Sequence, residues 1–438
     1  MKVVKGPRLW KHAKKMIPGG SQLFSKRAEL FLPELWPSYY MKAKGVFIWD
    51  LDGNKFIDMS YMGIGACVLG YADPDVNRAV KKAISLGSMS TLNCPEEVEL
   101  AELLFKLNRW AGMVRYARTG GEAMTIAVRI ARAHTGKDRI AFCGYHGWHD
   151  WYLSANLANG RLLDGHLLPG LKPKGVPRCL IATAIPFHYN RIEELEKIVN
   201  DYKNEIGAIV MEPVRHEEPK GGFLQKVRKI ADEIGAVLIF DEITSGWRMN
   251  VGGIHKIYRV YPDIAVYGKA MSNGFPMAAV VGKSEVMDAA QESFISSTYW
   301  TERIGPVAAI ATINKMIREK VPRHLCKIGT LVSKGWKRLA DAHGLEIEIA
   351  GIPPLATFTF KHEDSQAIHT LFTQEMLRRG FLASKSLYAS FAHTENHVER
   401  YLRSVDEVFG IIRDAVEKNT VRKMLLGPVA HTGFKRLA

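Results

Sequence analysis

Val237-Leu238-Ile239-Phe240-Asp241-Glu242 is an apolar run that stops on two carboxylates, and Lys269 stands 28 positions after Asp241. Four apolar residues in a row leave neither face for water, so the run reads as a strand covered on both sides. The lysine follows a second short apolar run, Ile264-Ala265-Val266, and opens a loop rich in Gly, Ser and Asn (Gly268-Lys269-Ala270-Met271-Ser272-Asn273-Gly274). In an open parallel sheet, ligands collect at the carboxyl ends of the strands. Asp241 and Lys269 would then face one crevice. Taken singly, an Asp after a strand can start a turn, and most lysines lie on the surface.

Outward from this pair, short apolar runs alternate with helical patterns from about residue 76. Strands are expected at Met113–Ala117, Arg139–Cys143, 179–183, 208–211, 237–240, 264–266 and 278–281, with helices at 75–87, Glu96–Leu107 and 122–134. This predicts an α/β fold with a mostly parallel, doubly wound sheet of seven strands. From about 307 long helical stretches dominate (307–320, 324–343, 364–379, 394–418), with short strands at 346–350 and 357–360. Near the start, two extended runs flank Asp50-Leu51-Asp52-Gly53-Asn54 and read as a hairpin. The first 40 residues are expected to be irregular, broken by Pro18, Gly19, Gly20, Pro33 and Pro37. The expected division is 1–75 joining a small α+β domain, 76–315 as the large domain, and 316–438 as the rest of the small one.

Composition bounds the function. The chain of 438 residues has 47% hydrophobic and 24% charged residues, the balance of a globular protein. No apolar stretch is long enough to span a membrane, and the basic start carries neither an apolar segment nor a cleavage site, so no signal peptide is expected. The formal charge of +15 is spread along the chain without a nucleic-acid motif. It suits an anionic cofactor or substrate. Five cysteines with no Cys-x-x-Cys pair argue against a structural metal site or disulfide framework, and fit a reducing cytoplasm.

Two further segments complete a pattern. Arg118-Thr119-Gly120-Gly121-Glu122-Ala123 opens an amphipathic helix, where backbone N–H groups and the helix dipole can meet a phosphate. Gly144-Tyr145-His146-Gly147-Trp148-His149-Asp150-Trp151 follows the Arg139–Cys143 run and puts aromatics where a flat cofactor could stack. By itself the first is a tight turn, and the second is ordinary core.

In this order (glycine turn, aromatic loop, strand-end Asp, loop Lys) the chain resembles the class III aminotransferases. These are fold-type-I pyridoxal-phosphate (PLP) enzymes, and the closest likeness is to the branch of glutamate-1-semialdehyde 2,1-aminomutase. Pro18-Gly19-Gly20, Trp49-Asp50-Leu51-Asp52-Gly53, Tyr145-His146-Gly147, Met211-Glu212-Pro213, Phe240 to Arg248 and Gly268-Lys269 carry the likeness.

The resemblance implies that Lys269 forms the Schiff base and moves the substrate proton, while Asp241 pairs with the pyridinium nitrogen. Tyr145 would stack on one ring face, with His146 beside it, and Ile243 on the other. Gly120, Gly121 and Thr119 would hold the phosphate, Glu212 would lie near the phenolic oxygen, and Thr298 would come from the second subunit of a homodimer. The large domain would then bind PLP.

The sequence departs from the family in places. Gly121 stands where Ser or Thr is usual, and Tyr299, Trp300 and Arg303 are bulky where the aminomutases are not. The loop from Trp148 to Pro177 and the segment Gln22 to Lys26 also differ. An aminotransferase with an amino-acid donor, by analogy glutamate, is therefore expected. Arg27, Arg248 and Arg303 are candidate binders of an acidic or phosphorylated carbonyl acceptor. An aminomutase and a racemase or epimerase are the alternatives. A PLP-binding regulator would need a DNA-binding module, and no helix-turn-helix segment is evident.

Overall fold

Strands Ile206–Met211, Val237–Asp241, Ile264–Tyr267 and Ala278–Gly282 are buried at every position, which is why their sequences are apolar without alternation. The computed structural model describes residues 3–202, 204–435 and 437. It divides into two compact units, 74–322 and 1–73 with 323–438.

The unit 74–322 holds a seven-stranded sheet in the order Met113–Ala117, Ala278–Gly282, Ile264–Tyr267, Val237–Asp241, Ile206–Met211, Arg139–Cys143, Ala184–Pro186. Only Ala278–Gly282 runs against its neighbours; the others share one direction. Successive side chains alternate between two cores, as the period of two requires. Val210, Val237 and Ile239 pack with Ala123, Ala127 and Ile130 of helix Gly120–Thr135. Ile209, Leu238 and Phe240 pack with Phe223, Leu224 and Val227 of helix Phe223–Ile234. Each fully buried Val, Leu, Ile or Phe contributes roughly 1.5–3 kcal/mol, so the sheet is a rigid mount for whatever its edge carries.

One strand lies later than expected. Residues 179–183 are not extended: Arg178–Leu180 is a 3-10 turn, Thr183 Oγ1 donates back to the Leu180 carbonyl at 2.7 Å, and Ile181 is 52% exposed. Pairing begins at Ala184, opposite Ile140. The apolar run was longer than the part the sheet covers.

In the unit 1–73 with 323–438, the hairpin strands Phe47–Asp50 and Lys55–Met59 pair antiparallel. Asp50 Oδ1 closes the turn by accepting from the N–H groups of Asp52 (2.9 Å) and Asn54 (2.8 Å), and Gly53 takes φ +87°. Lys55–Met59 then pairs parallel with Phe381–Ala383. Leu355–Phe360 lies between Ile347–Ala350 and Ser386–Tyr388 in a second sheet, and helices Ser365–Arg378 and Glu395–Glu417 belong to the same unit. The first 40 residues are not wholly irregular, for Lys5–Ala13 is helical and buries Trp10 and Ala13. Its Pro7 sits in the first turn, where the missing N–H costs nothing, and the expected breakers lie beyond its end. Among the described residues no helix is long and apolar enough to cross a membrane.

Candidate active site

The six co-directional strands end at one edge of the sheet, and the chemistry-bearing residues follow those ends. Thr119 and Gly120 come after Met113–Ala117, Tyr145 and His146 after Arg139–Cys143, Glu212 after Ile206–Met211, and Lys269 after Ile264–Tyr267. Asp241 is itself the last residue of Val237–Asp241.

Asp241 is 4% exposed. Its Oδ1 accepts from the Ile243 N–H at 3.0 Å, and its Oδ2 lies 2.9 Å from His146 Nδ1. His146 Nε2 is 3.0 Å from the Cys143 carbonyl. A carbonyl only accepts, so Nε2 carries a proton. Nδ1 and Oδ2 are within hydrogen-bond distance of each other, and both side chains are buried.

Lys269 takes φ +41°, a region costly for a residue with a side chain, at the start of a 3-10 turn. Its Nζ donates to Thr244 Oγ1 at 2.7 Å. Burial pushes the ammonium down from 10.5 to about 8, Arg215 and Arg248 adding to the effect while Asp241 and Glu212 oppose it. Below pH 8 folded and unfolded chains both hold this proton, and the folded state bears the full cost. At about 1.4 kcal/mol per factor of ten, that cost is about 3 kcal/mol. Between pH 8 and 10.5 the unfolded chain binds more protons, so stability gained from this group rises with pH. Lys269→Met should therefore stabilise the ligand-free protein against urea at pH 7, and the gain over the parent should vanish near pH 10.5. An equal gain at both pH values would contradict the assignment.

The glycine turn is built by a capping box. Thr119 Oγ1 accepts from the Glu122 N–H at 3.4 Å and donates to Glu122 Oε2 at 3.0 Å, so the Thr119 hydroxyl serves the cap. Glu122 Oε2 also accepts from the N–H groups of Thr119 (2.9 Å) and Arg118 (3.2 Å). Gly120 and Gly121 are left, among the described residues, with N–H groups that make no hydrogen bond. A Cβ on Gly120 would come within 2.9 Å of Ile243 Cδ1, and one on Gly268 within 3.5 Å of Ile243 Cγ2. Ile243 thus lies between the helix N-terminus and the lysine loop.

Gly144 turns at φ +112°, and a Cβ there would meet Glu212 Oε2 at 3.0 Å. Glu212 pairs with Arg215 at 2.9 Å. Tyr145 is partly buried and its hydroxyl is pushed up by burial; Arg215, Asp241 and Glu212 lie within its electrostatic reach. Tyr145, Asp241, Glu212 and Lys269 therefore form one cluster.

Thr298 is not part of it within the chain. It is exposed, at the head of the turn Thr298–Thr301. Arg303 is held by Glu96, with Nε and Nη2 both on Oε1 at 2.9 and 2.6 Å, which answers its charge without an added anion. Arg248 is 1% exposed, with Nε on the Thr244 carbonyl at 2.6 Å. Arg27, in the other unit, donates to the Lys435 carbonyl at 3.0 Å and lies over Phe24 and Phe434.

Three residues were missed from sequence: Thr244, Arg215 and Arg118. Arg118 donates through Nη2 to the carbonyls of Trp300 (2.9 Å) and Glu302 (2.8 Å) and pairs through Nε with Glu302 (2.8 Å), tying the 298–302 turn to the glycine turn. Position was the available signal, since Arg118 directly precedes Thr119-Gly120-Gly121 and Arg215 stands three residues after Glu212.

Known proteins share this architecture. The 3-aminobutyryl-CoA aminotransferase of Cloacimonas acidaminovorans (strain Evry) is 30% identical over 420 residues, covering 93% of this chain and 97% of its own. The glutamate-1-semialdehyde 2,1-aminomutase of Methanocaldococcus jannaschii is 30% identical over 435 residues, covering 93% and 99%. Among solved structures, the FumI protein of Sphingopyxis sp. MTA144, in its PLP internal aldimine form, superposes with a TM-score of 0.83 at 26% identity, covering 94% and 97%. The family model for aminotransferase class-III matches residues 34–386, and the chain belongs to that family of pyridoxal-phosphate enzymes.

Proposed function

We propose that this enzyme moves an amino group from an amino-acid donor, glutamate being the one the family likeness suggests, to an aldehyde or ketone acceptor. The carrying observation is the partly buried Lys269 amine, lowered to about 8, at the same sheet edge as the buried Asp241–His146 pair. The residues fit PLP: Gly120 and Gly121 offer two unused N–H groups for its phosphate, Asp241 a carboxylate for its ring nitrogen, and Lys269 an amine for its carbonyl. Ile243 and Tyr145 offer apolar and aromatic faces for the ring. When bound, PLP supplies an electron sink that acidifies the donor Cα–H.

The chain's residues do the rest. Lys269 Nζ, easily neutral in this field, takes a proton at substrate Cα and returns it. Asp241, held in place by His146 at 2.9 Å, would keep the ring nitrogen protonated. Glu212, 8% exposed and tied to Arg215, orients groups beside Tyr145. Positive field from Arg215 and Arg248 at Lys269 suits an acidic or phosphorylated acceptor. The working form is a homodimer in which Thr298 reaches the partner's phosphate site; its exposure, and that of Phe294 (88%) and Tyr299 (71%), supports this. A cytoplasmic location fits the five free thiols.

The aminomutase relatives favour a second reading, in which one substrate is both donor and acceptor. The two separate in a half-reaction experiment. With glutamate the visible absorbance of bound PLP should fade, and an added carbonyl acceptor should restore it. Isomerisation of a single amino aldehyde without any second substrate would overturn the aminotransferase reading. Uptake of solvent deuterium at Cα without loss of the absorbance would instead select a racemase.

A further inference from the structure

Gly121 does not need to be glycine for its backbone, since it is absent from the positions with positive φ. It is pressed from outside. A Cβ on Gly121 would come within 3.0 Å of His149 Cδ2, 3.1 Å of His149 Nε2 and 3.5 Å of Trp148 Nε1. The loop itself passes over the first turn of the helix, for a Cβ on Gly147 would lie 3.3 Å from Gly121 Cα. Glycine at 121 therefore admits an imidazole directly against the helix N-terminus.

The ring finds no partner for its nitrogens there. His149 is partly buried, lies with its ring centroid 4.4 Å from that of Trp148 and tilted to it by 39°, and makes no side-chain hydrogen bond among the described residues. Burial lowers its affinity for a second proton, against the pull of Glu122 and Asp150, so a neutral ring has one N–H to give. Three N–H donors without a hydrogen-bond partner thus lie at the first turn of a 16-residue helix: those of Gly120 and Gly121 and one of the imidazole packed against Gly121. Convergent donors at a helix N-terminus select an anion with several acceptor oxygens.

We propose that His149 is a phosphate ligand of the cofactor site, its Nε2–H completing the cradle begun by the Gly120 and Gly121 amides. This rests on the PLP reading above. In this chain the imidazole occupies the space that a side chain at 121 would fill.

The test compares two ligands that differ only in the phosphate. Dissociation constants of PLP and of phosphate-free pyridoxal are measured by equilibrium dialysis with the apoenzyme, for the parent and for His149→Ala. PLP should bind about tenfold more weakly to the variant, the size of one charge-assisted hydrogen bond, while pyridoxal binding stays the same. Gly121→Ser should restore PLP affinity in the His149→Ala background and lower it in the parent, where the ring blocks the added side chain. If His149→Ala does not fold, His149→Phe fills the same space without an N–H and carries the same comparison. Equal weakening of both ligands, or of neither, overturns the role of His149. A parent protein that binds neither ligand overturns the PLP reading instead.

Discussion

Lys269→Ala is expected to lose the borohydride-stable adduct with PLP entirely and to lower turnover by about 10⁴-fold, the upper end of what one positioned base contributes. On the proposed reading two functions disappear together: the amine that would hold the cofactor and the base that would move the Cα proton. Unfolding is not the expected cause of that loss. Nζ is partly buried with a hydroxyl as its hydrogen-bond partner and is held near 8 against an ordinary 10.5, so its removal relieves a cost. A variant that is folded, at least as stable at pH 7, and empty of adduct is the expected result. Adduct formation unchanged from the parent, traced by peptide mapping to another lysine, would remove Lys269 from the mechanism.

Asp241→Asn is the second large effect, and its interest lies in how little else it disturbs. The amide oxygen can accept from the Ile243 N–H as Oδ1 now does. The amide nitrogen can donate to His146 Nδ1, while Nε2–H keeps the Cys143 carbonyl. All the local hydrogen bonds can survive; the negative charge of the carboxylate is gone. Turnover should then fall about 10²- to 10³-fold, the cost of losing one preorganised electrostatic partner. PLP affinity should change less than tenfold, because phosphate and lysine contacts remain. Steady-state kinetics at saturating cofactor, together with dialysis, separate the two quantities. Equal losses in affinity and turnover would make Asp241 a binding residue only.

The sheet was readable because strands buried on both faces must be apolar throughout, and Ile206–Met211 and Val237–Asp241 are. The same rule misplaced the strand at 179–183, where the apolar residues begin ahead of the part that is covered. Glycine positions carried information of two kinds. Gly120 and Gly121 were read as room for an anion, yet contact geometry is needed to see Ile243 against the first and His149 against the second. Arginines were the hardest to read. Arg303 looked available and is neutralised by Glu96, whereas Arg118 and Arg215 look like surface residues and are drawn in by carbonyls and carboxylates distant in sequence or a turn away. A charge acquires its meaning from its partner, and the partner is a property of the fold.

The one strand that runs against the others has a mechanical consequence. Because Ala278–Gly282 returns antiparallel beside Ile264–Tyr267, Lys269 rides on a closed loop of ten residues, 268–277, clamped at both ends by neighbouring strands of the sheet. Such a short bridge fixes the backbone of Lys269 at both ends, so on the proposed reading the amine would leave and return through its side-chain torsions and not through a hinged lid.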